Sequence, residues 1–295
     1  GTDRYATGVD ISKKSFSPGV PVVYVATGLA FPDALAAAPA AAAQGGPLLL
    51  TAVNALPASI LDEIKRLKPG KIVVVGGTGA VSASVYNQLK ALTPSIRRDA
   101  GTDRFETSRT IVQNAFPTGS ATAFVATAWN FPDALAASAA AGAINAPVVL
   151  VDGKATAVDA KTKALLSTLK VKNAKVAGGT GVVSAKVEAS LKTILGATNV
   201  TRLGGGDRYT TATLINKASF AQSDTVYLAN GLGFADALAG AALAGKNKAP
   251  LYTVYANCVP SQVLGEITRL GANKVVLLGG AGALTANVAK LTACK

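Results

Sequence analysis

The chain has 295 residues, 49% hydrophobic and 15% charged, with a net charge of +13. That length accommodates two or three domains, and the composition is that of a packed core rather than a disordered chain. With no histidine and two cysteines, a Ser-His-Asp nucleophile and a cysteine/histidine zinc site are excluded. The most apolar stretch, 34–53, is broken by Pro39, Gln44, Gly45, Gly46 and Pro47. Three short helix–turn–strand units account for it and its counterparts better than membrane spans do. No secretory leader is visible, and a mature or trimmed chain is expected from the start at Gly1.

From the amino end, "GTDRY" (1–5) opens a helix pattern with aromatics at Tyr5 and Phe16, about three turns apart on one face. A β-branched run, "VVYVAT", follows and reads as a buried strand. The heptapeptide "FPDALAA" (31–37) then starts an alanine-rich helix, with Pro32 suited to its first turn. A proline-led strand "PLLLT", an amphipathic helix "ASILDEIKRLK", a strand ending in "GGTGAVS" (76–82) and a last helix complete the pattern. "SIRRDAG" and "NVTRLGG" are candidates for a short extra strand at the junctions.

The whole series then recurs. "GTDRF" (101–105) and "GGDRY" (205–209) repeat the opening, while "FPDALAA" (131–137) and "FADALAG" (234–240) repeat the heptapeptide. The arginine and the aspartate of these motifs lie 29, 29 and 28 positions apart. Constant order and spacing mark whole-domain repeats, over 1–100, 101–204 and 205–295. Alternation of continuously apolar strands with helices predicts an α/β fold of three tandem open parallel-sheet (Rossmann-like) domains.

The recurring aspartates Asp33, Asp133 and Asp236 read as helix-starting scaffold, favoured by the positive end of the helix dipole. Each is expected to pair with Arg4, Arg104 or Arg208. Taken as Asp3/Asp33, Asp103/Asp133 and Asp207/Asp236, the carboxylates resemble glycosidase equipment. An adjacent arginine would keep both ionised, which disfavours hydrolysis. The glycine turns are open to three readings: tight turns with Ser82, Ser184 and Thr285 as N-caps, anion sites at a helix N-terminus, or a nucleotide site. The last has the weakest support, because neither a full G-x-G-x-x-G nor a P-loop lysine is present. Arg4, Arg104, Arg208, Thr78, Ser82, Thr180 and Ser184 are the candidate ligand contacts.

Basic residues exceed acidic ones by four, five and four in the three units. An evenly basic body attracts polyanions by salt-sensitive forces: nucleic acid, anionic lipid or acidic polysaccharide. Cys258 and Cys294 are expected to form a disulfide, the alternative being two unrelated thiols. It would close a loop of about 36 residues, contribute roughly 3–4 kcal/mol and point to an oxidising, extracytoplasmic location.

Together these residues resemble the cell-wall-binding type 2 repeat of Gram-positive exported proteins. The resemblance rests on Arg98 and Arg202 three residues ahead of Gly101 and Gly205 and on Tyr5/Thr7, Phe105/Thr107 and Tyr209/Thr211. The heptapeptides, the proline-led strand and GGxGxxS complete it. It implies three modules around a pseudo-threefold axis, a secreted protein of the cell wall or cell surface, and non-covalent binding of an anionic wall polysaccharide or teichoic-type polymer. It implies no cofactor, nucleic acid or membrane insertion. Such arrays often accompany a catalytic or adhesive domain, amidases included, so an amidase or its modifier is the runner-up, with a nucleotide-binding enzyme third. Ala128-Trp129 where the first unit has Gly28-Leu29, and the absence of an arginine segment before Gly1, depart from strict equivalence.

Overall fold

The computed structural model describes residues 1–93 and 95–295. Asp3 starts α1 (Arg4–Ser15): its carboxylate accepts the backbone N–H groups of Tyr5 and Ala6 at 2.8 and 2.7 Å, which have no partner inside the helix. The first unit continues through β1 (Val23–Thr27), α2 (Pro32–Ala43), β2 (Leu48–Thr51), α3 (Ala58–Leu67), β3 (Ile72–Val75), α4 (Ala83–Lys90) and β4 (Ile96–Asp99). The second repeats it as α5 (Arg104–Ala115), β5 (Thr122–Thr127), α6 (Pro132–Ala143), β6 (Val148–Val151), α7 (Ala160–Thr168), β7 (Asn173–Ala177), α8 (Ala185–Leu195) and β8 (Val200–Leu203). The third comprises α9 (Arg208–Lys217), β9 (Thr225–Asn230), α10 (Ala235–Lys246), β10 (Leu251–Val254), α11 (Ser261–Leu270), β11 (Lys274–Leu278) and α12 (Ala286–Ala289).

Every strand pair is parallel, in the orders β2-β1-β3-β4, β6-β5-β7-β8 and β10-β9-β11. All residues of β1, β2 and β3 are buried. Successive side chains point to opposite faces, so both faces of this sheet are covered. Both junction segments form strands, β4 and β8, each completing the sheet of the unit before it. The third sheet has no fourth strand among the described residues.

Three alanine-rich helices, α2, α6 and α10, pack on one another at the centre. Each also packs on the first helix of another unit: α2 on α5, α6 on α9, α10 on α1. The units therefore close into a ring about a pseudo-threefold axis. Small residues permit the approach: a Cβ on Gly142 would lie 2.8 Å from the Ala42 Cβ and 3.0 Å from the Gly245 Cα. Pro39 lies inside α2 and cannot donate to the Leu35 carbonyl four residues back. The buried Ser138 hydroxyl of α6 lies 3.0 Å from that carbonyl and 2.7 Å from the Ala134 carbonyl of its own helix, so its single proton is shared between the two. At the other end of the helices the phenylalanines of the three heptapeptides meet. The rings of Phe31, Phe131 and Phe234 are 5.6, 5.9 and 5.8 Å apart at tilted or edge-on angles, the preferred aromatic geometry.

Cys258 and Cys294 are bonded, and Val259 pairs with Ala293 beside them, which ties the end of the chain to the loop after β10. No helix among the described residues is long and apolar enough to cross a membrane.

Gly142→Leu should lower thermal stability by about 1–3 kcal/mol through overpacking at the axis. Gly265→Ala, at an exposed position in α11 with open space around it, should raise it by up to about 1 kcal/mol. Calorimetry of both variants checks the contrast; equal effects would contradict the axial packing.

Candidate functional site

In an open parallel sheet, ligands bind beyond the carboxyl ends of the strands, where the strand order reverses. Here that point lies between the first and third strands of each unit. The heptapeptide loop follows one of these strands and the glycine turn the other. The GxDR turn of the neighbouring unit completes the crevice. Between the first and third units the groove is lined by Asp3 and Arg4 on one side and by Asn230, Asp236 and Gly280 on the other. Between the second and third it is lined by Asn130, Asp133 and Gly179 against Asp207 and Arg208.

The recurring arginines do not pair with the aspartate of their own unit, contrary to the simplest sequence expectation. Arg4 donates to the Gly28 carbonyl, Arg104 to Ala128 at 3.1 Å and Arg208 to Gly231 at 2.6 Å. Each thereby fixes the loop after its own first strand. Their charges act across the unit boundary instead: Arg104 on Asp33, Arg208 on Asp133 and Arg4 on Asp236. Asp3, Asp103 and Asp207 cap their helices. The carboxylate facing Asp236 is Asp3 of the first unit, so the pairing of acids within a unit is also corrected.

The buried aspartates lie against glycines of the turn. Gly76, Gly178 and Gly279 have φ of 95°, 111° and 124°. A Cβ there would fall 2.4, 2.6 and 2.8 Å from the Oδ2 atoms of Asp33, Asp133 and Asp236. Glycine is required twice at each position, by its left-handed backbone and by the carboxylate. Burial raises the pKa of all three aspartates, that of Asp133 to about 6, although Arg208 and the Thr211 hydroxyl pull it back. The neighbouring arginine therefore does not hold them firmly ionised as the sequence reading supposed, because desolvation outweighs it.

Among the turn residues, Ser82 and Ser184 accept the N–H groups of Val85 and Val187 as N-caps, and Ser184 donates to the Ala155 carbonyl. Thr285 occupies the same position, but its hydroxyl has no partner among the described residues. Thr78 and Thr180 are exposed at the turn tips.

The sequence marks Trp129 only as a departure from Leu29 of the first unit. It is 50% exposed, and its indole N–H donates to Asp152 at 2.8 Å. The Arg104 guanidinium lies 4.6 Å from its ring centroid, and Phe105 packs edge-on at 5.7 Å. In the third unit Tyr255 stacks on Tyr209 at 4.1 Å. The first unit has Leu29 and Ala52 at these places. A lone tryptophan on a loop was the available signal.

Two solved structures share this architecture. Cwp6 from Clostridium difficile superposes with a TM-score of 0.89 at 25% identity, over 99% of this chain and 47% of its own. Cwp8 from the same organism gives 0.88 at 31%, over 99% and 50%. The N-acetylmuramoyl-L-alanine amidase LytC of Bacillus subtilis is 31% identical over 94% of this chain and 52% of its own length. The amidase enhancer of that organism is 29% identical over 88% and 35%. The chain thus spans half or less of the solved chains and from about a third to a half of these curated relatives. The profile of Cell wall binding domain 2 (CWB2) matches residues 1–86, 98–188 and 202–289, and by this threefold match the chain belongs to the CWB2 family.

Proposed function

We propose that the chain is a non-catalytic anchoring module at the wall of a Gram-positive cell, reached by export. Its ligand is an anionic secondary wall polymer, of the acidic polysaccharide or teichoic type, laid along the grooves between units. The observation that carries this reading is a recurring arrangement: Arg4 and Arg208 share a groove with the glycine turn of a neighbouring unit, and Arg104 acts on Asp33 across the remaining boundary. It sits on a body of net charge +13 whose excess is spread over all three units. Repeated weak contacts on one chain act at high effective concentration. Arg4, Arg104 and Arg208 are the primary contacts, with the exposed Thr78 and Thr180 beside them. Ser82 and Ser184 support the turns through their caps. The exposed Trp129 adds a face for a sugar ring.

Hydrolysis has less support. Asp3, Asp103 and Asp207 are engaged as helix caps, and their cross-groove partners are buried. The amidase activity named for LytC belongs to a protein of which this chain spans 52%. We propose unit boundaries at 100/101 and 204/205, where β4 and β8 hand the chain to the next sheet.

Purified chain should sediment with intact walls and be released steeply as salt rises. Walls stripped of anionic polymer by acid extraction should retain little. Equal retention on both at low salt would refute polymer binding.

Trp129→Ala should weaken wall binding about three- to tenfold, the worth of one aromatic contact. Arg104→Ala should weaken it further and also lower the melting temperature, because the Ala128 carbonyl loses its donor. Titration against isolated polymer, beside calorimetry of each variant, separates the two effects.

The Asp133 carboxyl, with a folded pKa of about 6 against about 3.9 in an unfolded chain, carries a pH signature. Its contribution to stability is fully present below the unfolded value and is lost as pH rises through the folded one. Asp133→Asn does not titrate. The melting temperature of Asp133→Asn minus that of the native chain should therefore rise between about pH 4 and 7. A constant difference would place the carboxyl in solvent.

A further inference from the structure

A second patch lies at the carboxyl end of each sheet, on the other side of the first strand from the crevice. In the second unit it is made by Trp129 from the loop after β5, Asp152 from the loop after β6 and Phe105 from the first turn of α5. β6 and β7 flank β5 on opposite sides, so the patch lies away from the glycine turn that follows β7. The indole is held at three points. Arg104 covers its face, Phe105 meets it edge-on, and its N–H donates to Asp152 Oδ1, which also accepts the Lys154 N–H at 3.0 Å. A side chain fixed in this way and still half exposed has given up rotamer freedom without gaining burial. Asp152 has no ion-pair partner among the described residues, and its Oδ2 accepts no hydrogen bond from them. In the third unit Tyr209, Leu232 and Tyr255 occupy the same three places, and in the first Tyr5, Leu29 and Ala52.

We infer that Trp129 and Asp152 form a subsite for one uncharged pyranose ring of the bound polymer. The C–H bonds on one side of a pyranose carry partial positive charge and are attracted to the negative face of an indole. The hydroxyls at the ring's edge donate to Asp152 Oδ2. The same unpaired carboxylate repels a uronate or a phosphorylated ring laid on the indole. Arg104 joins this subsite to the crevice. Its charge reaches Asp33 across the boundary with the first unit, its guanidinium covers the indole, and among the described residues it donates only to the Ala128 carbonyl. A cation and a carboxylate on either side of one indole fit a polymer in which charged and uncharged residues follow one another. The anion is held by Arg104 and the next, uncharged ring by Trp129. This inference rests on the polymer-binding reading and adds to it the charge of one residue.

Trp129 is the one tryptophan of the chain, so its emission reports on this subsite alone. Full chain is titrated with glucose, N-acetylglucosamine and glucuronate. The two uncharged sugars should change the emission saturably, and glucuronate should bind about two- to fivefold more weakly, the worth of one exposed charge contact. Asp152→Asn keeps an acceptor for the indole N–H and should bring glucuronate level with glucose. If single sugars bind too weakly to saturate, chitotriose and trigalacturonate replace them. A second measurement uses chain bound to intact walls, where quenching of Trp129 by acrylamide should fall below that of free chain. No response to chitotriose, or equal binding of the charged and uncharged sugars to the native chain, would overturn the inference. So would undiminished quenching on walls that do retain the chain, a result that leaves polymer binding standing. Failure of intact walls to retain the chain would remove both.

Discussion

Close packing of three alanine-rich helices about one axis is the constraint on which the molecule depends. The helices approach closely enough that a side chain on Gly142 would strike two neighbours at once. Larger residues would push the units apart and open every groove together, because each groove is made of parts from two units. The same closeness makes the proline in α2 tolerable, since a hydroxyl from α6 stands near enough to serve the orphaned carbonyl. It also brings the three phenylalanines together where the crevices converge.

Buried carboxylates and glycine turns form the second layer of this design. Each aspartate starts a helix, fills the space over a glycine of its own turn and faces the arginine of the next unit. Three demands on one side chain explain why the aspartate recurs where the proline before it does not. Ala235 can replace the proline, whose task is confined to the first helical turn. The three crevices still differ in what they offer. Trp129 and the Tyr209–Tyr255 stack furnish flat apolar surfaces in two units, and the first presents only Leu29.

Strand and helix order, the junction strands and the disulfide were legible in the sequence because they rest on local pattern and spacing. The units' similarity was legible because the motifs recur in order. What could not be read was which copy touches which. The interval from Arg4 to Asp33 equals that from Arg104 to Asp133, so spacing favours pairing within a unit as much as pairing across the boundary. Ring closure settles it, and no local pattern encodes ring closure. The role of Phe31, Phe131 and Phe234 was hidden for the same reason, since their partners are one another. Trp129 stood out only as a mismatch, and its partners Arg104 and Asp152 come from the start of α5 and from the loop after β6.

The cyclic packing of α2 on α5, α6 on α9 and α10 on α1 has a consequence for how such a chain can evolve. A stacked array has two free ends and can lengthen or shorten by one repeat. A closed ring has none. Deleting a unit would strip the covering from helices on both sides of the gap, and a fourth would find no seat on an axis already filled by three aromatic rings. The copy number is therefore set by geometry rather than by selection for reach. A stronger grip must come from altering the loops of the existing three or from duplicating the ring entire.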